Sequence, residues 1–188
     1  MTTLRPRHKN DLYCTASPVT QRLLGMMPLD KSDLIVLEPC AGNLDISSQF
    51  TRARVATNDI DQTKNTNYHL DATKSENWQQ FGKVDWTITN PPFSHASDIL
   101  MNAWEHSQIG VVMLLRLSFF EPTRDRGDWL EVHLDNLCKF IPINPRIKFR
   151  SDTGNTDSVT TAWYIWRHDF SWRENGIECP FGFIRNWR

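Results

Sequence analysis

The sequence contains no closely spaced pair of cysteines. Cys14, Cys40, Cys138 and Cys179 lie far apart, so none of the spacings that hold structural zinc is present and no metal is expected. Cys40 and Cys138 sit in apolar surroundings and read as buried free thiols, which suits a reducing compartment. No run approaches the roughly 18 apolar residues of a membrane span, so no membrane association is expected. The first residues lack the apolar core of a secretion signal, which makes the cytoplasm the expected location. There is no excess of one charge, with 21 Lys and Arg against 22 Asp and Glu. Internal repeats, coiled-coil heptads and low-complexity tracts are also missing. So is the Gly-x-Gly-x-x-Gly fingerprint, which argues against a nicotinamide dehydrogenase.

What is present is ordinary for one soluble globular domain with a real core: 188 residues, 39% hydrophobic and 23% charged. Most of the 8 tryptophans belong in that core. Trp129, Trp172 and Trp187 have polar neighbours and are candidates for a surface groove. Arg5, Arg7 and Lys9 make a basic arm within residues 1–12, and Arg146, Lys148, Arg150, Arg167, Arg173, Arg185 and Arg188 enrich the last third. Acids gather in the middle, at Asp59, Asp61, Asp71, Glu76 and Asp85. A basic rim around an acidic centre suits a polyanion docking beside a cationic ligand; an ordinary mixed surface is the alternative.

Along the chain, Ser17 and Pro18 read as the N-cap and first residue of a helix. Leu23, Leu24 and Met27 give that helix its apolar stripe, and Pro28 stops it. Residues 34–37 form a continuous apolar run, the mark of a strand buried on both faces. It ends in Glu38-Pro39-Cys40-Ala41-Gly42-Asn43, followed by an expected helix over 44–51. A carboxylate and a glycine turn at a strand end make a nucleotide-type turn. Glu38 would repel a phosphate, however, and attract a cation or accept from amino and hydroxyl groups. The strand 55–58 ends in Asp59-Ile60-Asp61, the position where a ribose diol is usually held. A third short strand, 68–72, carries Asp71. A helix over 75–81, a strand over 84–89, a helix over 95–106 and a strand over 110–115 continue an α/β alternation. Beyond it, 129–140 has helical spacing through Leu130, Leu134 and Leu137. Residues 147–149 and 159–166 read as a hairpin around the polar loop 150–158, and the tail 169–188 lacks periodicity.

Asn90-Pro91-Pro92-Phe93 stands at the end of the 84–89 strand. Two prolines fix φ and remove two N–H donors, and Pro91 pushes Asn90 out of the helical region. The stiff loop presents an amide, a free carbonyl and an aromatic ring at the strand edge where open α/β sheets bind ligands. Such a set accepts from an amino group and stacks on the flat ring bearing it. A Pro-rich turn with no further role is the plain alternative.

With these motifs in this order, residues 11 to 167 resemble the class I S-adenosylmethionine-dependent methyltransferases of the amino-group branch that methylates adenine N6, small phage and prokaryotic DNA adenine methyltransferases above all. The stations are the segment 11–17, Leu37 to Gly42, Asn58 to Asp61, Asp71, Asn90 to Phe93 and Arg146-Ile147-Lys148-Phe149. Leu44 stands where family members often have a second glycine. The resemblance implies a Rossmann-like, doubly wound, mostly parallel seven-stranded sheet with a C-terminal antiparallel hairpin, spanning residues 13–168, with 1–12 as an arm and 169–188 as a tail. It implies S-adenosylmethionine as cofactor, leaving S-adenosylhomocysteine, held by Tyr13, Thr15, Glu38, Pro39, Ala41, Gly42, Asp59, Asp71 and Asn90. Asn90, Pro91, Pro92 and Phe93 would form the catalytic set. Phe93, Arg146 and Lys148 would meet the substrate, with the base flipped out of any duplex. The implied partner is nucleic acid, DNA ahead of RNA, in a prokaryotic or phage-infected cytoplasm. With little chain left for target recognition, a protein partner for that task is a further expectation. The same tetrapeptide serves RNA adenine and protein glutamine methyltransferases, and a non-catalytic cofactor-binding module is the rival from another class.

Overall fold

The structure is a computed structural model that describes residues 14–121, 123–147 and 159–182. Its frame is a six-stranded sheet in the order β2-β1-β3-β4-β6-β5. The strands are β1 (Ile35–Glu38), β2 (Arg54–Thr57), β3 (Val84–Thr89), β4 (Ser107–Arg116), β5 (Leu137–Pro142) and β6 (Thr161–Arg167), and the α-helices are α1 (Ser17–Met26), α2 (Ala96–His106) and α3 (Arg124–His133). β1 pairs in parallel with both β2 and β3, and β3 with β4. β6 runs antiparallel to β4 and to β5.

Side-chain alternation on β4 builds both faces of the core. Val111, Met113 and Leu115 join one cluster with Ile99, Leu100 and Ala103 of α2 and Leu130 of α3. Val112 and Leu114 join the other with Leu23 of α1, Leu29 and Trp163. A strand covered on both faces has no polar side to show, so it reads as an unbroken apolar run. β4 also passes close to its neighbours at Gly110, where a Cβ would stand 2.2 Å from the Trp166 carbonyl oxygen and 2.9 Å from the Trp86 ring.

Strand β1 lies between β2 and β3, so the crossover direction reverses there and opens a crevice at the carboxyl ends of β1 and β3. Asn58, fully buried, ties that edge together. Its Nδ2 donates to Pro39 O at 2.8 Å and Leu70 O at 2.9 Å, and its Oδ1 accepts from Leu70 N at 2.7 Å. Its backbone N–H donates to Glu38 O, and its carbonyl accepts from Ala41 N.

Several sequence expectations need correction. Six strands are described, not seven, because the segment expected as a third strand makes a single parallel bridge, Asn58 to Tyr68. Side chains take over its ladder: Asn58 holds Leu70, and Asn67 Oδ1 accepts from Thr57 N. The 44–51 helix reduces to a short 3-10 turn, Ser47–Gln49. The 129–140 helix ends at His133 and becomes β5 from Leu137. β5, rather than residues 147–149, is therefore the hairpin partner of β6; Ile147 lies outside any strand, and Lys148 and Phe149 lie outside the described residues. Ala16, not Ser17, caps α1. Trp129 packs edge-on against Trp104 and Trp166 instead of lining a groove. Trp172 donates its indole N–H to Leu137 O, while Trp187 is outside the described residues.

Replacing Asn58 with alanine strands buried backbone groups at Pro39 and Leu70. Urea denaturation should show a loss of roughly 2–4 kcal/mol. Asn58→Asp should fare no better, since a carboxylate cannot donate to the two carbonyls. Gly110→Ala should cost about 3 kcal/mol, read as a lower thermal midpoint, because its Cβ meets backbone rather than a mobile side chain.

Candidate functional site

The crevice holds a cavity of about 620 Å³. Its floor is the turn after β1. Glu38 ends the strand only 2% exposed, and its Oε2 accepts from Ser47 N at 2.8 Å. Burial, with the Asp45 and Asp59 carboxylates nearby, pushes Glu38 up to about 8 despite the bonds from Ser47. Burial likewise holds the Cys40 thiol well above its ordinary range, and Asp59 adds to the effect.

The turn needs left-handed backbone twice, at Gly42 (φ 50°) and at Leu44 (φ 65°). The second is the place where a glycine is common in the resembling family, and the conformation supplies the reason. Here a leucine accepts it, at a strain of roughly 1–2 kcal/mol. Leu44 N donates to Ala41 O at 2.7 Å, closing the turn, and Leu44 is not among the residues lining the cavity.

The second wall is the end of β2. Asp59 accepts from Gly42 N through Oδ2 and from Asp61 N through Oδ1, at 2.8 and 2.9 Å. Asp71, on the segment beside it, accepts from both the hydroxyl and the backbone N–H of Thr73, at 2.7 and 2.9 Å. Those bonds, the hydroxyl's first, hold its carboxyl below the ordinary value. The third wall follows β3. Asn90 donates from Nδ2 to Thr15 Oγ1 at 3.1 Å, and Thr15 N in turn donates to Asp45 Oδ2 at 3.1 Å. A chain of bonds thus runs from the turn through Thr15 to the amide and sets which way its oxygen faces. His95 caps α2 and is exposed at the rim.

Thr15, Glu38, Pro39, Ala41, Gly42, Asp59, Asp71 and Asn90 therefore meet around one cavity, with Pro92. Pro91 is buried and is named in the lining of neither cavity, and Phe93 faces a smaller neighbouring cavity. Arg146 is exposed and lines neither, and Tyr13 and Lys148 lie outside the described residues. Sequence reading missed Cys14, Asn43, Asp45, Lys64 and Thr73, all on the cavity wall. Asp45 left a signal, a second acid just after the glycine turn. Lys64, which donates to Asn43 Oδ1 at 2.8 Å, sits in an irregular loop with no periodicity to mark it. Asp45, Asp59, Asp61 and Asp71 against Lys64 make the lining acidic, so it favours a ligand bearing positive charge and hydroxyl or amino donors.

No family model matches the chain, and no curated protein matches it. Solved structures do match in fold. A dimethyladenosine transferase from Plasmodium falciparum has a TM-score of 0.59 at 18% identity, covering 83% of this chain and 62% of that one. A putative RNA methyltransferase from Pyrococcus horikoshii has 0.58 at 16%, covering 88% and 92%. The methyltransferase subunit of a type I restriction-modification system from Streptococcus thermophilus has 0.61 at 13%, covering 82% and 44%. The chain thus spans less than two thirds of the first and the third of these. At such identities the likeness is one of architecture: a mixed α/β, mostly parallel sheet shared with these methyltransferases.

Proposed function

We propose that the chain transfers a methyl group from S-adenosylmethionine to the exocyclic N6 amino group of adenine in DNA. The observation that carries this reading is Asn90, oriented by Thr15 at the end of β3, opening on an acidic cavity at the point where the strand order reverses. The names of the similar structures, a dimethyladenosine transferase, a putative RNA methyltransferase and a type I restriction-modification methyltransferase subunit, support the nucleic-acid class.

The cavity fits the cofactor by its chemistry. Its volume lies within the range of small-molecule sites. Its acidic lining suits a sulfonium and an amino group, and it lacks the phosphate-cradling glycines of a dinucleotide loop. Asp59 would hold the ribose hydroxyls, Asp71 the adenine amino group and Glu38 the methionine end, with Pro39, Ala41 and Gly42 shaping the floor. When bound, S-adenosylmethionine supplies an activated methyl group and leaves as S-adenosylhomocysteine.

The rest is done by this chain. The lone pair of an exocyclic amino group is delocalised into the purine. The Asn90 side-chain oxygen and the Pro91 carbonyl accept hydrogen bonds from its two N–H groups, draw the nitrogen toward tetrahedral geometry and stabilise the positive charge that develops on it, which is discharged when one of those protons passes to solvent. Thr15 holds the amide and the prolines stiffen the backbone that carries the carbonyl, so alignment costs little at the moment of reaction. Phe93 provides a face for the target base, worth roughly 1–3 kcal/mol.

Methyl label from S-adenosylmethionine, offered double-stranded DNA, single-stranded DNA, total RNA and a protein extract, should enter DNA as N6-methyladenine. Asn90→Ala should lower turnover about 10²–10³-fold with cofactor binding near normal. A fully active Asn90→Ala variant, or label in protein alone, rejects the reading; label in RNA alone moves the substrate.

Cofactor affinity should rise with pH up to about 8, as Glu38 ionises, because a cationic ligand favours the carboxylate. The same group sets a stability trend. Glu38 stays protonated in the folded chain up to about 8 but ionises near its ordinary 4.5 when unfolded. Its contribution is therefore complete below the lower value and is lost as pH rises toward the upper one. Glu38→Gln should flatten both profiles, in isothermal titration and in urea denaturation across that window.

A further inference from the structure

A second cavity, of about 190 Å³, adjoins the same loop, and Ser94 lines both. Phe93, Ser94, Arg116, Ser118, Phe119 and Arg126 are among its lining residues. Its charge is opposite to that of the first: among the described residues it has two guanidinium groups and no carboxylate. Its volume is below the roughly 300 Å³ at which sites for whole small molecules begin, so it admits a compact group rather than a nucleoside.

Both arginines are held by their faces. The Arg116 guanidinium carbon lies 4.6 Å from the centroid of the Phe93 ring, and that of Arg126 lies 4.7 Å from the Phe119 ring. Stacking occupies the face of a guanidinium and leaves its N–H donors pointing outward in the plane, the arrangement that grips two oxygens of a phosphate at once. The Nε atoms of both are buried without a hydrogen-bond partner among the described residues. Neither side chain takes part in an ion pair there. Arg126 donates from Nη2 to the Glu121 carbonyl, which anchors it without neutralising it, and burial pulls its pKa below the ordinary value. Arg116 ends β4 and is fixed from behind, since its carbonyl accepts from Tyr164 Oη at 3.1 Å. Ser94 and Ser118 add hydroxyl groups to the lining.

We propose that this cavity is a phosphodiester site, in which Arg116 and Arg126 clamp one backbone phosphate of a polynucleotide whose target base is presented to Asn90. The assignment rests on the reading of Asn90 as the methyl-acceptor site, and it deepens that reading: a clamp of this chemistry fits a nucleic acid and leaves a protein glutamine without use for it. The phosphate is common to DNA and RNA, so the site belongs to both chemistries.

The test is binding of the full chain to fluorescent single-stranded DNA and RNA oligonucleotides of one sequence, by anisotropy over a salt series and with no methyl donor present. The Arg116→Gln, Arg126→Gln double variant should bind about tenfold more weakly or worse. The slope of log affinity against log salt should fall by about 0.7 in all, the share of the one phosphate the pair clamps. Arg116→Lys should keep the slope and lose affinity, because a point charge replaces a fork; this milder variant and the two single variants carry the test if the double variant does not fold. Unchanged affinity and slope in variants with native circular dichroism overturn the site, as does a wild-type chain that binds neither oligonucleotide. Arginine-dependent binding without methyl transfer keeps the site and rejects the proposed reaction. Methyl transfer to DNA with arginine-independent binding does the reverse.

Discussion

The buried side chain of Asn58 is the constraint on which the ligand edge of the sheet depends. Three pieces of chain leave the sheet there: the turn after β1, the end of β2, and the segment that carries Asp71. None has enough neighbours to satisfy its own backbone. One amide supplies two donors and one acceptor to Pro39 and Leu70, while its main chain pairs with Glu38 and Ala41. Asp59 follows Asn58 in the chain and Asp71 follows Leu70, so both carboxylates take their positions from the bonds between Asn58 and Leu70. An apolar side chain of equal size would fill the volume and leave the turn after β1 and the segment before Asp71 unsatisfied, at Pro39 and Leu70.

Around that anchor the molecule gathers groups that oppose folding. Glu38 is a carboxylate buried to the point of holding its proton, and Leu44 sits in a conformation that leucine disfavours. Both lie at the crevice, and both are outweighed by a core built on two faces of the sheet, where Leu37, Ile88, Met113 and Leu114 are fully buried. Local strain at a ligand edge is affordable only where the surrounding structure determines the backbone independently.

Much of the ligand edge was legible in residues alone, because acids and prolines directly after apolar strands mean the same thing wherever they occur. Glu38, Asp59, Asp71 and Asn90 were found this way. Two of the missed elements share one physical cause: side chains displace the regular backbone pattern. The helix expected over 44–51 stops after one turn because Phe50 N donates to Ser47 O three residues back and Thr51 N donates to Asp30 instead of to the Ser47 carbonyl. The expected strand at 68–72 lacks a ladder because Asn58 replaces it. In 129–140 the periodicity misled for another reason. Leu130 and Leu134 belong to α3 and the turn after it, while Leu137 opens a strand at the same spacing, and three leucines cannot separate the two. Arg116 and Arg126 were invisible as a pair because only the fold brings β4 and α3 to one cavity.

Among the described residues the two outer strands of the sheet are β2 and β5. Neither offers an inviting rim. β2 is 4 residues long and opens on the exposed Arg54. β5 has Lys139 exposed, its ammonium donating to Met26 O at 3.2 Å, and it ends on Pro142, which has no N–H to give. A short, charged or proline-stopped margin resists the edge-to-edge pairing by which sheets of separate molecules fuse into larger aggregates. The consequence is colloidal rather than chemical: these margins favour separate, dispersed copies over stacks joined strand to strand.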